Sequence, residues 1–154
     1  MLGGEFFMTE PNAEYEEPKV PPAEVAAQMW SDDQACQSLG MQIEEVRLGY
    51  ARMSMPVRQD MVNSHGVCHG GLIFTLADSA FAYACNSSNR VTLAAGAAID
   101  FLAPARLGEL LMAEATETWN GGRTGITDVA ITGAGGRRIA VFRGRAARVG
   151  GTIV

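Results

Sequence analysis

The chain has 154 residues and a mass of 16.3 kDa, the size of one domain. Hydrophobic residues make up 47% and charged residues 19%, a globular composition, and a net charge of −5 argues against a protein held on nucleic acid by bulk charge. The best apolar run, Leu72 to Cys85, is broken by Thr75, Asp78 and Ser79, so no membrane span is expected, and Cys36, Cys68 and Cys85 form no disulfide framework and fit a reducing cytoplasm.

Residues 1–21 read as an acidic, flexible tail, with Glu5, Glu10, Glu14, Glu16 and Glu17 among Pro11, Pro18 and Pro21; Met8 is a candidate native start. Pro22 opens a short helix, AEVAAQMW. Met41 to Val57 reads as one long strand whose apolar parity flips after Gly49, a sign of a bulge or bend. A polar, glycine-bearing loop follows over 58–68. His69 to Asn86 is apolar nearly all round and reads as a buried helix, with Thr75, Asp78 and Ser79 on one face. Val91 to Leu102 alternates, placing Val91, Leu93, Ala95, Ala97, Ile99 and Phe101 on one face, and its small centre, AAGAA, suits close approach of a helix. Glu109–Trp119, Thr124–Ile131 and Arg138–Val149, separated by glycine-rich turns, complete an antiparallel meander. The fold class is α+β, a curled antiparallel sheet on one long helix, over residues 22–154.

Chemistry concentrates where the loop enters the long helix. Gly70 and Gly71 stand at the helix start, where free backbone N–H groups and the positive dipole end polarise a carbonyl; the plain alternative is a tight turn. Asp78, two turns further on, is an acid amid Leu76, Ala77, Ala80 and Phe81. Such an acid is either used, with burial raising its pKa, or structural, hydrogen-bonded to Thr75 or Ser79. Two sharper ideas are weaker. His65, Cys68 and His69 lack a fourth metal ligand, so no metal is expected, and a Cys68 nucleophile has no distant partner in view. Residues 1–45 carry ten acids and one base, whereas 121–154 carry one acid and six arginines. That basic segment suits phosphate contact through Arg123, Arg143, Arg145 or Arg148, or else forms a solvated face.

The run HGGLIFTLADSAFAYACN (69–86), with AIDFLAP (98–104) and FRGRAARVGG (142–151), resembles hotdog-fold thioesterases of the phenylacetate-degradation (PaaI) type over roughly residues 22–152. The resemblance implies a hotdog fold, homo-oligomers (dimers with a continuous sheet, then homotetramers) and hydrolysis of acyl-CoA at sites between subunits. It implies that Asp78 is the catalytic carboxylate, as nucleophile or general base. Gly70 supplies the polarising N–H, Asn63 helps place water or carboxylate, and His69 precedes the glycines. Some relatives hold the water with a serine in the strand after the helix; here that position falls in Ala94-Ala95-Gly96, which leaves the task to Asn63. The expected substrate is phenylacetyl-CoA or a hydroxylated or ring-modified relative. The CoA phosphates are expected to meet arginines from the set Arg123, Arg143, Arg145 or Arg148, not all of them at one phosphate group since Arg148 faces away from Arg143 and Arg145 on a regular strand. An apolar acyl pocket is expected to draw on Phe74, Phe81 and Tyr83 or their neighbours. No cofactor is expected, coenzyme A being part of the substrate, and neither nucleic acid nor membrane as partner. A non-catalytic acyl-CoA-binding protein, a medium-chain acyl-CoA thioesterase and, more weakly, a dehydratase are the alternatives.

Overall fold

The computed structural model describes residues 18–154; the acidic tail and Met8 lie outside that range, apart from residues 18–21. Helix α1 (Pro22–Asp32) starts on a proline at its first position, and a short α2 (Gln34–Ser38) is capped by the Asp33 carboxylate on the Cys36 N–H at 3.0 Å. The expected long strand is instead a hairpin, β1 (Gln42–Arg47) and β2 (Tyr50–Pro56), turning at Leu48-Gly49. Gly49 takes φ +68°, a left-handed conformation that favours glycine, and the reversal there is what flips the apolar parity.

Helix α3 (Gly70–Asn86) is followed by β3 (Thr92–Phe101), β4 (Leu110–Asn120), β5 (Thr124–Thr132) and β6 (Arg138–Arg148). The six strands form one antiparallel sheet ordered β1-β2-β4-β5-β6-β3, and its inner face wraps α3. Close approach to the helix is allowed by Ala51, Ala113 and Ala115, all fully buried on β2 and β4. Gly144 on β6 serves the same end: a methyl group there would lie 2.8 Å from the Phe81 ring.

The small centre of β3 does not play the role expected of it. Ala94 to Ala98 are exposed, because among the described residues β3 is a sheet edge paired only with β6. A bulge at Ala95 also breaks the anticipated single face. Ala94 pairs with Ala146 and Gly96 with Arg145, so beyond the bulge Ala97, Ile99 and Phe101 share the inner face with Gly144, Phe142 and Ala140.

Candidate active site

The entry to α3 is built by backbone and side-chain bonds that converge on three residues. His69 is the N-cap, and its Nδ1 accepts the Gly71 N–H at 3.1 Å. Its own N–H donates to the Met61 carbonyl at 2.8 Å, and Cys68 N–H donates to Ala105 O at 2.8 Å, which pins the loop against the segment after β3. With Gly71 satisfied by the imidazole, the Gly70 N–H is left without an acceptor among the described residues. It stands at the positive end of a 17-residue helix, ready to bind a carbonyl oxygen. The His69 side chain thus fixes the helix start.

Asn63 lies in the loop that leads there. Its N–H donates to Val67 O at 2.8 Å, and its Oδ1 accepts the N–H groups of His65 (2.9 Å) and Val67 (3.3 Å). The carbonyl oxygen of the side chain therefore shapes the loop, and the Nδ2 amide is the end that can act outward.

Asp78 sits half-buried on α3. The structural reading of this acid required Thr75 or Ser79 as a partner, and both are engaged elsewhere. Thr75 Oγ1 donates to Gly71 O at 2.8 Å, and Ser79 Oγ donates to Thr75 O at 2.8 Å while accepting the Cys36 thiol at 3.1 Å. Among the described residues no donor reaches the Asp78 carboxylate, and burial alone pushes its pKa up. Helix α2 flanks it. Asp33 accepts the Tyr83 hydroxyl at 3.0 Å, and the Cys36 thiol, raised to about 12 chiefly by burial, also feels the charges of Asp33 and Asp78. A carboxylate that is shielded, unpaired and raised is suited to proton transfer or nucleophilic attack.

Gly70 and Asp78 lie eight residues apart on one helix, about 12 Å along its axis at 1.5 Å per residue. A carbonyl held on the Gly70 N–H is thus out of reach of the Asp78 carboxylate of the same chain, since attack requires about 3–3.5 Å. A ligand stretched along this helix face does not bring the two groups to one atom.

The cysteine idea finds no support in the geometry. Cys68 is buried, its thiol is pushed up by that burial, and its Sγ approaches only the His69 carbonyl, at 3.7 Å. Among the described residues no three His, Cys, Asp or Glu side chains converge as metal ligands.

The arginines are dispersed. Arg143 and Arg145 share the outer face of β6, and Arg148 takes the other. Arg143 forms a bidentate pair with Asp128 (2.6 and 2.7 Å), Arg145 donates to Ala95 O at the β3 bulge (3.2 Å), and Arg148 Nη1 donates to Gly122 O beside the exposed Arg123. A groove of about 590 Å³ on the outer sheet face, lined by Tyr50, Glu114, Asp128, Val141 and Arg143 among others, contains none of Asn63, His69, Gly70 and Asp78. Of the aromatic residues expected around the acyl group, Phe81 and Tyr83 are core residues, 1% exposed each. Phe74 is half-buried, edge-on to Phe142 at 5.3 Å.

A further carboxylate escaped the sequence reading. Glu117, at the inner-face end of β4, is pushed up to about 7 by burial, against the opposing pull of Arg148 and of the Asn120 amide. Gly125 makes room for it, since a methyl group there would lie 2.8 Å from Glu117 Oε1. Its place in an alternating strand carried no signal of burial.

The antiparallel sheet wrapped on a central helix is the hotdog fold, and the chain belongs to the thioesterase superfamily, whose family model matches residues 65–140. It is 42% identical over 125 residues to acyl-coenzyme A thioesterase PaaI of Escherichia coli, covering 81% of this chain and 89% of that one. The solved E. coli PaaI protein of the phenylacetic acid degradation operon superposes with a TM-score of 0.84 at 40% identity, over 85% of this chain and 95% of that one. A hypothetical thioesterase protein from Streptococcus pneumoniae, solved with coenzyme A, matches at 25% identity and a TM-score of 0.70, over 73% of this chain and 90% of that one.

Proposed function

We propose that this chain is an acyl-CoA thioesterase that hydrolyses phenylacetyl-CoA, or a hydroxylated or ring-modified aryl-acyl-CoA, to the free acid and coenzyme A in phenylacetate degradation. The observation that carries the reading is the Asp78 carboxylate, half-buried on the central helix and, among the described residues, without a hydrogen-bond partner, in a chain whose helix start presents one N–H with no acceptor among those residues. The similarity to PaaI supports the substrate class.

The site is completed by a second copy. Because Gly70 and Asp78 of one helix are about 12 Å apart, the carbonyl bound by one chain meets the acid of another. The open edge of β3, with Leu93 56% exposed, supports pairing of two such edges into a continuous sheet, and two dimers then make a tetramer. The Gly70 N–H donates to the developing oxyanion, and the partner subunit's Asp78 takes a proton from water as the water oxygen attacks the carbonyl carbon. The C–S bond breaks, the thiolate of coenzyme A receives the proton, and the acid is released. Direct attack by Asp78 on the carbonyl carbon instead breaks the C–S bond and expels the CoA thiolate, giving a mixed anhydride; water then opens it to the free acid and the Asp78 carboxylate, and the proton released goes to the thiolate. Asn63 Nδ2 steadies the water. Among the arginines Arg145, Arg148 and Arg123 are favoured for the phosphates, because Arg143 is already neutralised by Asp128.

Three free cysteines and the small-molecule substrate support a cytoplasmic location, and among the described residues no helix is long and apolar enough to cross a membrane. The test is free-thiol release from a panel of arylacetyl-, benzoyl- and straight-chain acyl-CoAs. Turnover led by phenylacetyl-CoA supports the proposal. Binding without thiol release points to a non-catalytic binder, and a straight-chain optimum to a medium-chain thioesterase.

A further inference from the structure

The tip of the Phe101 ring rests on Gly70. A methyl group at Gly70 would stand 3.1 Å from Phe101 Cζ and 3.4 and 3.5 Å from Cε1 and Cε2. Phe101 as a residue is nevertheless 53% exposed, with its ring tip seated on the helix entry. Phe74, half-buried, follows Gly70 by four residues and so shares its helix face, where it packs edge-on to Phe142. Leu102 and Leu107 are 56% and 51% exposed in the segment after β3, which the Cys68–Ala105 and Val67–Arg106 backbone pairings hold against the loop that enters α3. A largely exposed aromatic residue thus stands beside the free N–H, with two exposed leucines in the segment that follows it.

We infer that Phe101 is the specificity-determining residue for the acyl group; the inference rests on the thioesterase reading of Gly70. A carbonyl oxygen bound at the Gly70 N–H, about 2.9 Å away, carries its carbon substituents to within van der Waals reach of a ring seated on the same residue. The amide- and phosphate-bearing arm of coenzyme A gains little from an apolar rim, whereas an acyl group buries surface against it. A flat ring favours another aromatic ring over an alkyl chain of equal carbon number, since an aromatic pair adds about 0.5–1.5 kcal/mol beyond area burial, up to about tenfold in rate ratio.

The experiment compares kcat/KM for phenylacetyl-CoA and octanoyl-CoA, both with eight acyl carbons, in wild type, Phe101→Leu and Phe101→Tyr, with assembly size and thermal melt recorded for each. The expected result is an aryl-to-alkyl ratio that falls several-fold in Phe101→Leu and is retained in Phe101→Tyr. A parallel loss on both substrates, or an unchanged ratio, overturns the inference and leaves Phe101 as a support for the helix entry. A wild-type protein that releases thiol from neither substrate overturns the thioesterase reading and this inference with it.

Discussion

Replacing Gly70 with proline deletes the backbone N–H assigned to the oxyanion while sparing the fold. Proline is favoured at the first position of a helix, where its missing donor has no intrahelical partner. The preceding residue suits it: His69 has φ −62° and ψ 131°, the extended conformation that proline imposes on its predecessor. The one crowded contact is the new Cβ, 3.1 Å from Phe101 Cζ, and the half-exposed ring has room to give. Loss of a single oxyanion donor lowers kcat by about 10²–10³-fold, about 2.7–4 kcal/mol of transition-state stabilisation. Gly70→Ala is the control, since it makes the same contact with Phe101 and keeps the N–H; it is expected to stay within a few-fold of wild type. The assay is steady-state thiol release from phenylacetyl-CoA, with a thermal melt of each variant. If Gly70→Pro and Gly70→Ala have the same kcat and both are near wild type, the helix-start N–H does not bind the oxyanion.

Further outcomes follow from the same geometry. Asp78 is raised by burial, so the acid limb of the kcat/KM profile falls at a pH above that of an ordinary aspartate, and Asp78→Asn removes this limb along with about 10²–10⁴ of the rate. Glu117 titrates near 7 in the fold against 4.5 when unperturbed, so the protonated form is the one the fold favours. Its contribution is complete below pH 4.5 and lost as pH rises through 7. Glu117→Gln therefore matches wild type at pH 4 and gains about 1–2 kcal/mol by pH 8, a few degrees of Tm, after allowance for partial exposure. Neutralising Arg123, Arg145 and Arg148 together is expected to raise KM for the CoA substrate with little change in kcat, and to leave a truncated pantetheine thioester unaffected. Added salt raises KM in wild type only, through screening of phosphate attraction.

Much of this arrangement was legible in the residues. A helix apolar on nearly every side, opened by two glycines and interrupted by one acid, admits few structures other than a buried central helix. Its start and end coincide with the observed α3 to within a residue. Glycine-rich turns marked the β4-β5-β6 meander for the same local reason. What stayed hidden depends on partners distant in sequence. A parity flip after Gly49 is common to a bulge and a tight hairpin, and only the pairing of Arg47 with Tyr50 separates them. The bulge at Ala95 lies in a run of small residues that carries no periodic mark, so the inward turn of Phe101 could not be read. Phe81 and Tyr83 were candidates for a pocket because an all-apolar helix does not reveal which side meets the sheet and which meets α2. The isolation of Asp78 emerged only when Thr75 and Ser79 were found bonded to carbonyls one turn back.

Complementation between two disabled variants shows whether Gly70 of one chain and Asp78 of another act on one thioester. Asp78→Asn and Gly70→Pro chains are each nearly inactive alone, then co-expressed or refolded together in equal amounts. Half of the resulting two-fold dimers are hybrids, and in each hybrid one site pairs an intact Gly70 with an intact Asp78 while the other has neither. Recovery to about a quarter of wild-type thiol release is expected. Activity that stays at the mean of the two parents, in samples where mass spectrometry finds the hybrid dimer, contradicts it.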